Sequence, residues 1–598
     1  MDPVQSDSRA TPISSVLPDA SANLLQPLAQ SLDYATYFHM AAALTRNHVF
    51  WSSLLPATAG GTEVLVLENR LGALTLRLAR MFRHVYSVPA TAADADTMLR
   101  LLAGAGIRNV RIVAADDIER NVPVGLGAVV LFGPFESETL AAGNAGPLLA
   151  ERLQANAERW LAPDGILVAA DNNAWSYRRW KRGSAPHAVP GKWSVWSFVR
   201  RARRKRAHID CFVNRGELTL HLFPPPELVP LDTPVNTGGV RLKERILHSR
   251  WGRRAWPSYL CLCSREPDRG AAGLVRIVRG SGVGENVGWG RDNALTVKRL
   301  IAGHGGITVA IIGPSTRHDS DVVVRLPGSA DGVRRCENNI AALRHMADTC
   351  LAAHVPRALA VGTQEQQRYY IETRCPGWDT ETAGIAANTA LDAAFALLWS
   401  FHKGATEQRR LSPGAYDEVA GINFADLRPF LEPAHQTRLD AIQAWVKTAL
   451  CARPMRMGFT HGDFKLGNLV FADPTAAPYI IDWDCSHPRG FPLLDYLTLL
   501  SYKLGHQLKG RLQRAYEDQM LPWRLPPSDA RLGERVVDAL GVNEKEFLAL
   551  RTLLGFAFLR DRHDRFVKYH PTWRASHALP ILDGVEREIE RMERSGAR

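Results

Sequence analysis

Two patterns of apolar and polar positions divide this chain. Up to about residue 264, short β-branched and leucine-rich runs recur at EVLVLEN (63–69), HVYSV (84–88), NVRIV (109–113), GAVVLFG (127–133) and GILVAAD (165–171). Between them lie stretches such as ALTLRLARMF (73–82) and Leu148–Trp160, whose apolar residues are spaced as in helices. Strands alternating with helices of this length predict a parallel sheet covered on both faces. Two later strands are expected near Glu217–Phe223 and Ser258–Ser264, which makes seven in this first unit.

The second pattern begins after a stretch rich in Gly and Arg. Strand-type runs appear at LTVKRLI (295–301), ITVAII (307–312) and DVVVRLP (321–327), then, after a helix from about Asp331, at ALAVGT (358–363) and RYYIET (368–373). Beyond Pro376 the periodicity is mainly helical to the end. The chain therefore divides into a Ser/Ala/Pro-rich, disordered tail (1–30), an α/β unit (31–268), a linker (269–290), a small strand-rich lobe (291–380) and a larger helical lobe (381–598).

Length and composition agree with this division. At 598 residues the chain exceeds one ordinary core, and 46% hydrophobic with 22% charged residues is the balance of folded globular domains. The formal charge of +12 favours anionic partners such as nucleotides, phosphorylated compounds or acidic membrane surfaces. Eight cysteines without paired ligand spacing argue against a zinc site or a disulfide scaffold, so a reducing, cytoplasmic setting is expected. No apolar run reaches the roughly 20 residues of a spanning helix, so any membrane contact is expected to be peripheral, at an inner face.

The most informative chemistry is His461-Gly462-Asp463-Phe464-Lys465-Leu466-Gly467-Asn468, followed by the strand run LVF and then by Ile480-Ile481-Asp482-Trp483-Asp484. Phosphoryl transfer needs an Asp to take the proton of a hydroxyl, oxygen ligands for magnesium, and positive charge at the transferring group. Turn residues flanking strands would use Asp and Asn too, but two such motifs in this order and separation favour the chemical reading. The block resembles the catalytic loop of aminoglycoside phosphotransferases and choline kinases, and more distantly protein kinases. The resemblance covers about 291–598 and implies an α+β bilobal kinase-like domain using ATP and Mg2+. It also implies Asp463 as catalytic base, Lys465 near the γ-phosphate, and Asn468 and Asp482 as metal ligands. His461 and Asp495 are expected to brace the loop, and Asp484 is either a supporting carboxylate or an exposed turn residue.

In the small lobe, the resemblance sets Arg325 where a phosphate-pairing Lys usually lies, with Glu337 a dozen residues later as its partner. The alternative is a surface ion pair between them. Gly303 and Gly305 are candidates for a turn over the phosphates, or for a plain β-turn. Ile371-Glu372-Thr373-Arg374-Cys375-Pro376-Gly377 is read as the link between lobes, where the backbone meets adenine.

The first unit resembles class I S-adenosylmethionine-dependent methyltransferases, which implies a Rossmann-like α/β domain. Its signature is altered. In place of a Gly-rich turn stands Glu68-Asn69-Arg70-Leu71-Gly72, Pro89 replaces the acid expected after the second strand, and Ala128 opens the fourth strand. Asp116 and Asp117 fall near the adenine position. A degenerate domain for scaffolding or substrate capture is the favoured reading, with S-adenosylmethionine binding and a bifunctional methyltransferase-kinase as alternatives. The segment around Asp171-Asn172-Asn173 resembles modules associated with bacterial surface-polysaccharide enzymes, which implies a saccharide hydroxyl as one acceptor class. Oligomeric state is not legible.

Between Tyr177 and Arg206, aromatics such as Trp180 and Trp193 alternate with a dense basic cluster. A solvated insertion, contact with an anionic membrane, and nucleic-acid binding are the three readings, the last the least favoured. The reading adopted is an alcohol phosphotransferase acting on a small molecule or saccharide, the alternative a catalytically inactive scaffold.

Overall fold

The computed structural model describes most of residues 271–596, with short breaks, and before them 29–30, 34, 62–68, 73–79, 81–89, 92–104, 106–132, 159–172, 208–216, 219–223 and 258–264. The tail, residues 69–72 and the basic segment 177–206 lie outside the described residues.

In the first unit the described strands are β1 (Glu63–Glu68), β2 (His84–Pro89), β3 (Val110–Ile112), β4 (Leu126–Phe132), β5 (Leu161–Asn172), β6 (His208–Gly216), β7 (Thr219–Phe223) and β8 (Ser258–Ser264). They lie in the order β3-β2-β1-β4-β5-β8-β6-β7. The first five are parallel, and β8 runs antiparallel between β5 and β6. Such an order, reversing at β1 and β4, is that of a Rossmann-like sheet of the methyltransferase type. Val64, Val66, Val85, Val129, Val130 and Val168 are buried, as parallel strands covered on both faces require. Helices α1 (Ala73–Leu78) and α2 (Ala92–Gly104) cover part of this sheet through Leu78, Met98 and Leu102.

β6 is an eighth strand beyond the seven expected. HIDCFVNRG mixes polar and apolar residues without steady alternation, so it carries little strand signal of its own. It is held by hairpin pairing with β7 and by β8.

The stretch read as a linker holds helix α3 (Ala271–Gly280) and a further helical turn, Val283–Asn286. Its apolar residues recur at helical spacing, and Leu274, Ile277, Val278 and Val283 are buried beside the next strand. The many glycines and arginines obscured that stripe.

The small lobe contains β9 (Leu295–Ala302), β10 (Ile307–Pro314), β11 (Val322–Pro327), α4 (Ala330–Met346), β12 (Ala358–Gln364) and β13 (Gln367–Thr373). Its antiparallel order β12-β13-β11-β10-β9 continues into the first unit because β9 pairs with β7, so thirteen strands share one sheet. The large lobe is built on α5 (Ala387–Ala405), α6 (Pro433–Cys451), α7 (Pro492–Gln507) and α8 (Glu544–Asp561). α7 and α8 are buried on most sides and run through the core, with Tyr496, Leu497, Leu500, Leu550, Leu553 and Phe556 among the covered side chains. Each such side chain contributes about 1.5–3 kcal/mol on leaving water. Short strands Met455–Thr460, Leu469–Phe471 and Tyr479–Ile480 carry the motif loops out of this core. No helix among the described residues is long and apolar enough to cross a membrane.

Candidate active site

The loop after Met455–Thr460 is fixed from below by α7. Pro492 starts that helix, where a missing N–H costs nothing. Its first turn places the buried Asp495 under the loop, where the carboxylate accepts the backbone N–H groups of His461 (2.8 Å) and Gly462 (2.9 Å). His461 is itself fully buried. Its Nδ1 accepts the Asp463 N–H, which leaves Nε2–H to donate to the Ile481 carbonyl at 3.0 Å. One imidazole thus ties the loop of Asp463 to the loop of Asp482. Burial pushes the Asp495 carboxyl up to about 6 against the pull of His461 and the two N–H groups.

Gly462 has φ +80°, and a Cβ there would lie 2.1 Å from the Cys485 carbonyl oxygen. Only glycine serves at this crossing of the two loops.

Asp463 is partly exposed and paired with Lys465 at 2.5 Å. Burial works to lower the Lys465 ammonium, but Asp463, together with Tyr502 and Asp482, holds it above its usual range. Lys465 also lies 5.8 Å from the centre of the Tyr502 ring on α7. Asn468 gives its amide nitrogen to the Asp463 carbonyl at 2.9 Å, which leaves its oxygen as the end able to ligate a cation. The backbone of Ile481 donates to the Asn468 carbonyl at 3.0 Å, placing the second motif beside the first.

Asp482 adopts left-handed backbone angles, φ 67° and ψ 59°. Its Oδ1 accepts from Arg325 Nη1 at 2.9 Å. Burial acts to raise its carboxyl, but Arg325, Lys465 and His461 outweigh burial and hold it below the usual carboxylate range. Two residues on, Asp484 goes the other way: burial and the Asp482 charge raise it despite Arg335. Asp484 is buried and bonded to Arg335 at 3.1 Å, so it supports the loop from behind. An anionic Asp482 and the Asn468 oxygen suit a hard cation such as magnesium. These two would hold the ion, which would neutralise phosphate charge.

The structure brings Asp463, Lys465, Asn468, Asp482 and Arg325 together. It separates Glu337 from them. Glu337 is half exposed on α4 and pairs with Arg368 at 2.6 Å. The inward face of α4 carries Gly332, Cys336, Asn339, Ile340 and Leu343, so Glu337, about 100° round the helix from Cys336, points elsewhere. The acid that grips Arg325 is instead Glu372 on β13, at 3.0 and 3.2 Å. Glu372 was expected at the adenine link through its backbone; its side chain is buried beneath Arg325.

Gly303 closes a hairpin turn, one of the two readings its sequence position allowed. Its N–H donates to Ile307 at 2.8 Å across the β9–β10 turn, so that donor is engaged within the hairpin. Gly305 lies outside the described residues.

Sequence reasoning missed Arg335, Asn338 and Asn339, which hold the loop after Asp482. Asn338 donates to the carbonyls of Asp484 (2.9 Å) and Ser486 (2.8 Å). A signal was present: Asn339 interrupts the apolar face of a helix, where a polar residue must find a buried partner.

In the first unit β1, β2, β4 and β5 end at Glu68, Pro89, Phe132 and Asn172. Pro89 offers no side-chain acceptor for ribose hydroxyls. Asp116 and Asp117 sit in a short helical turn after β3, with Asp116 exposed.

Residues 308–529 match the model of the phosphotransferase enzyme family, APH. The matched stretch lies in the C-terminal half and contains both motif loops. No curated protein matches the chain. Among solved structures, aminoglycoside phosphotransferase APH(3'')-Id from Streptomyces rimosus is 16% identical with TM-score 0.29, covering 47% of this chain and 97% of its own. A TehB-like SAM-dependent methyltransferase from Corynebacterium glutamicum is 14% identical with TM-score 0.22, covering 37% and 87%. WbdD, crystallised with a kinase inhibitor, is 12% identical with TM-score 0.24, covering 86% of each chain.

Proposed function

We propose that the chain transfers the γ-phosphoryl group of ATP to a hydroxyl of a small molecule or saccharide, with magnesium, in the cytoplasm. The observation that carries this reading is the convergence of Asp463, Asn468 and Asp482 on two loops locked together by His461 and Asp495. Asp463 accepts the acceptor's proton as its oxygen attacks phosphorus. Release from Asp463 would let Lys465 follow the charge onto the transferring group, and Arg325 holds phosphate oxygens through its fork of donors. The first unit serves as a scaffold or substrate holder rather than as a methyltransferase, since Pro89 supplies no ribose ligand.

Titration of the full chain with ATP, with and without magnesium, tests the reading. Magnesium-supported binding lost by at least about tenfold in Asp482→Ala is expected, as for loss of a charged ligand worth more than about 1.4 kcal/mol. An intact chain that binds no nucleotide under either condition would make it a scaffold.

A further inference from the structure

Arg325, Glu372, Asn339 and the Asp482–Trp483 segment form a closed ring of hydrogen bonds. Glu372 grips Arg325 through Oε1. Its other oxygen accepts Asn339 Nδ2 at 2.5 Å. The same amide's Oδ1 accepts the Trp483 backbone N–H at 3.0 Å. Arg325 closes the ring on Asp482. Glu372, Asn339 and Arg325 are all buried, so each bond is shielded from water and its loss leaves an unpaired polar group.

We infer that Asn339 and Glu372 are positioning residues that set Asp482 and Arg325 for a magnesium-bound nucleotide, an inference that rests on the phosphotransferase reading above. Asp482 is one of only two described non-glycine residues with positive φ, the other being Trp523. Such a backbone is strained for a residue with a side chain and persists only where neighbours over-determine it. Asn339 fixes the peptide that follows Asp482, while Asn338 and Arg335 hold the next turn.

The ring also separates two duties. Arg325 and its acid both stand on strands of one sheet, β11 and β13, so Arg325 is aimed without any carboxylate from α4. The helix acts on the metal loop instead, through the amides of Asn338 and Asn339 and the guanidinium of Arg335. Movement of α4 would displace Asp482 while Arg325 kept its acid.

The amide and the acid can be exchanged. In Asn339→Asp combined with Glu372→Gln, the carboxylate now on α4 still accepts the Trp483 N–H. The amide now on β13 donates to that carboxylate, and its oxygen accepts from Arg325; the charge of the ring is unchanged. Each single substitution breaks one link: Asn339→Asp sets two carboxylates face to face, and Glu372→Gln sets two amide donors against each other.

The test is calorimetric titration of ATP into the full chain, with magnesium varied at fixed ATP, beside the melting temperature of each variant. Each single change is expected to raise half-saturating magnesium about tenfold, the scale of a charge-assisted hydrogen bond. The exchange is expected to return it to within about threefold of the parent, at about 1.36 kcal/mol per decade. A merely structural role would lower melting temperature and leave half-saturating magnesium unchanged. Singles that bind like the parent, or an exchange as weak as the two singles added, would overturn the inference while leaving the phosphotransferase reading intact. A parent that binds no nucleotide would overturn both.

Discussion

Two buried titratable residues give the large lobe opposing responses to acid. Burial drives His402 down to about 4, although its bond to the Phe459 carbonyl resists. Its folded value lies below the unfolded one, so its contribution to stability is complete above about pH 6.5 and is lost as pH falls toward 4. The shift corresponds to about 3 kcal/mol. Asp495, raised to about 6, has the reverse sign: protons favour the folded chain, and that contribution is lost as pH rises through about 6. His402→Gln keeps a donor for Phe459 and removes only the first response. The melting temperature of this variant minus that of the parent should therefore climb as pH falls from about 6.5 to about 4.5. A difference that stays flat would show that His402 is not held neutral. Protonated Asp495 is also a poorer acceptor for the two N–H groups that shape the loop of Asp463. Phosphotransfer should accordingly break downward below about pH 6 while nucleotide affinity holds; a limb centred near about pH 4 would assign the loss elsewhere.

At the scale of elements, the site depends on two loops crossing in contact at Gly462 and Cys485. Gly462→Ala adds a Cβ 2.1 Å from a backbone oxygen at φ +80°, a clash that no rotamer can relieve. A loss of about 2 kcal/mol or more in stability, with activity falling further than melting temperature predicts, is expected from urea unfolding beside rate measurement. Wild-type activity in that variant would mean that the loops part during turnover. The crossing also shows where the sequence was legible. His461 to Asn468 and Ile480 to Asp484 carry their chemistry in local order, and a strand–loop–strand reading places them. The partner of Arg325 was not legible that way. Counting residues from Arg325 to Glu337 gave the right helix and the wrong face, because a shift of one position turns a side chain by about 100°. Glu372 lies 47 residues from Arg325, a pairing made by β11 lying beside β13 and by no local pattern. β6 was lost for a similar reason: its alternation is broken, and its neighbours in the sheet decide its conformation.

The whole molecule is organised by the pairing of β7 with β9, His221 opposite Arg299, Leu220 opposite Leu300 and Thr219 opposite Ile301. This seam makes the Rossmann-like sheet and the small-lobe sheet one surface, and it covers the edge of β9 over Arg299–Ile301. Val297 and Leu300 on that strand are completely buried, and the amphipathic α3 packs beside it. A chain starting at residue 269 would keep α3 and lose β7, exposing the N–H and C=O row of β9 beside apolar side chains. Unpaired apolar edges recruit other strands. The shortened chain is expected to self-associate at about 100 μM by light scattering, where the full chain does not. Adding Ile301→Lys, a charge on the freed edge, should return it to a monomer. A shortened chain that stays monomeric without that substitution would show that the small lobe closes its own edge. The first unit would then be joined to the small lobe for a reason other than covering β9, and the proposed substrate-holding role would have to account for the seam alone.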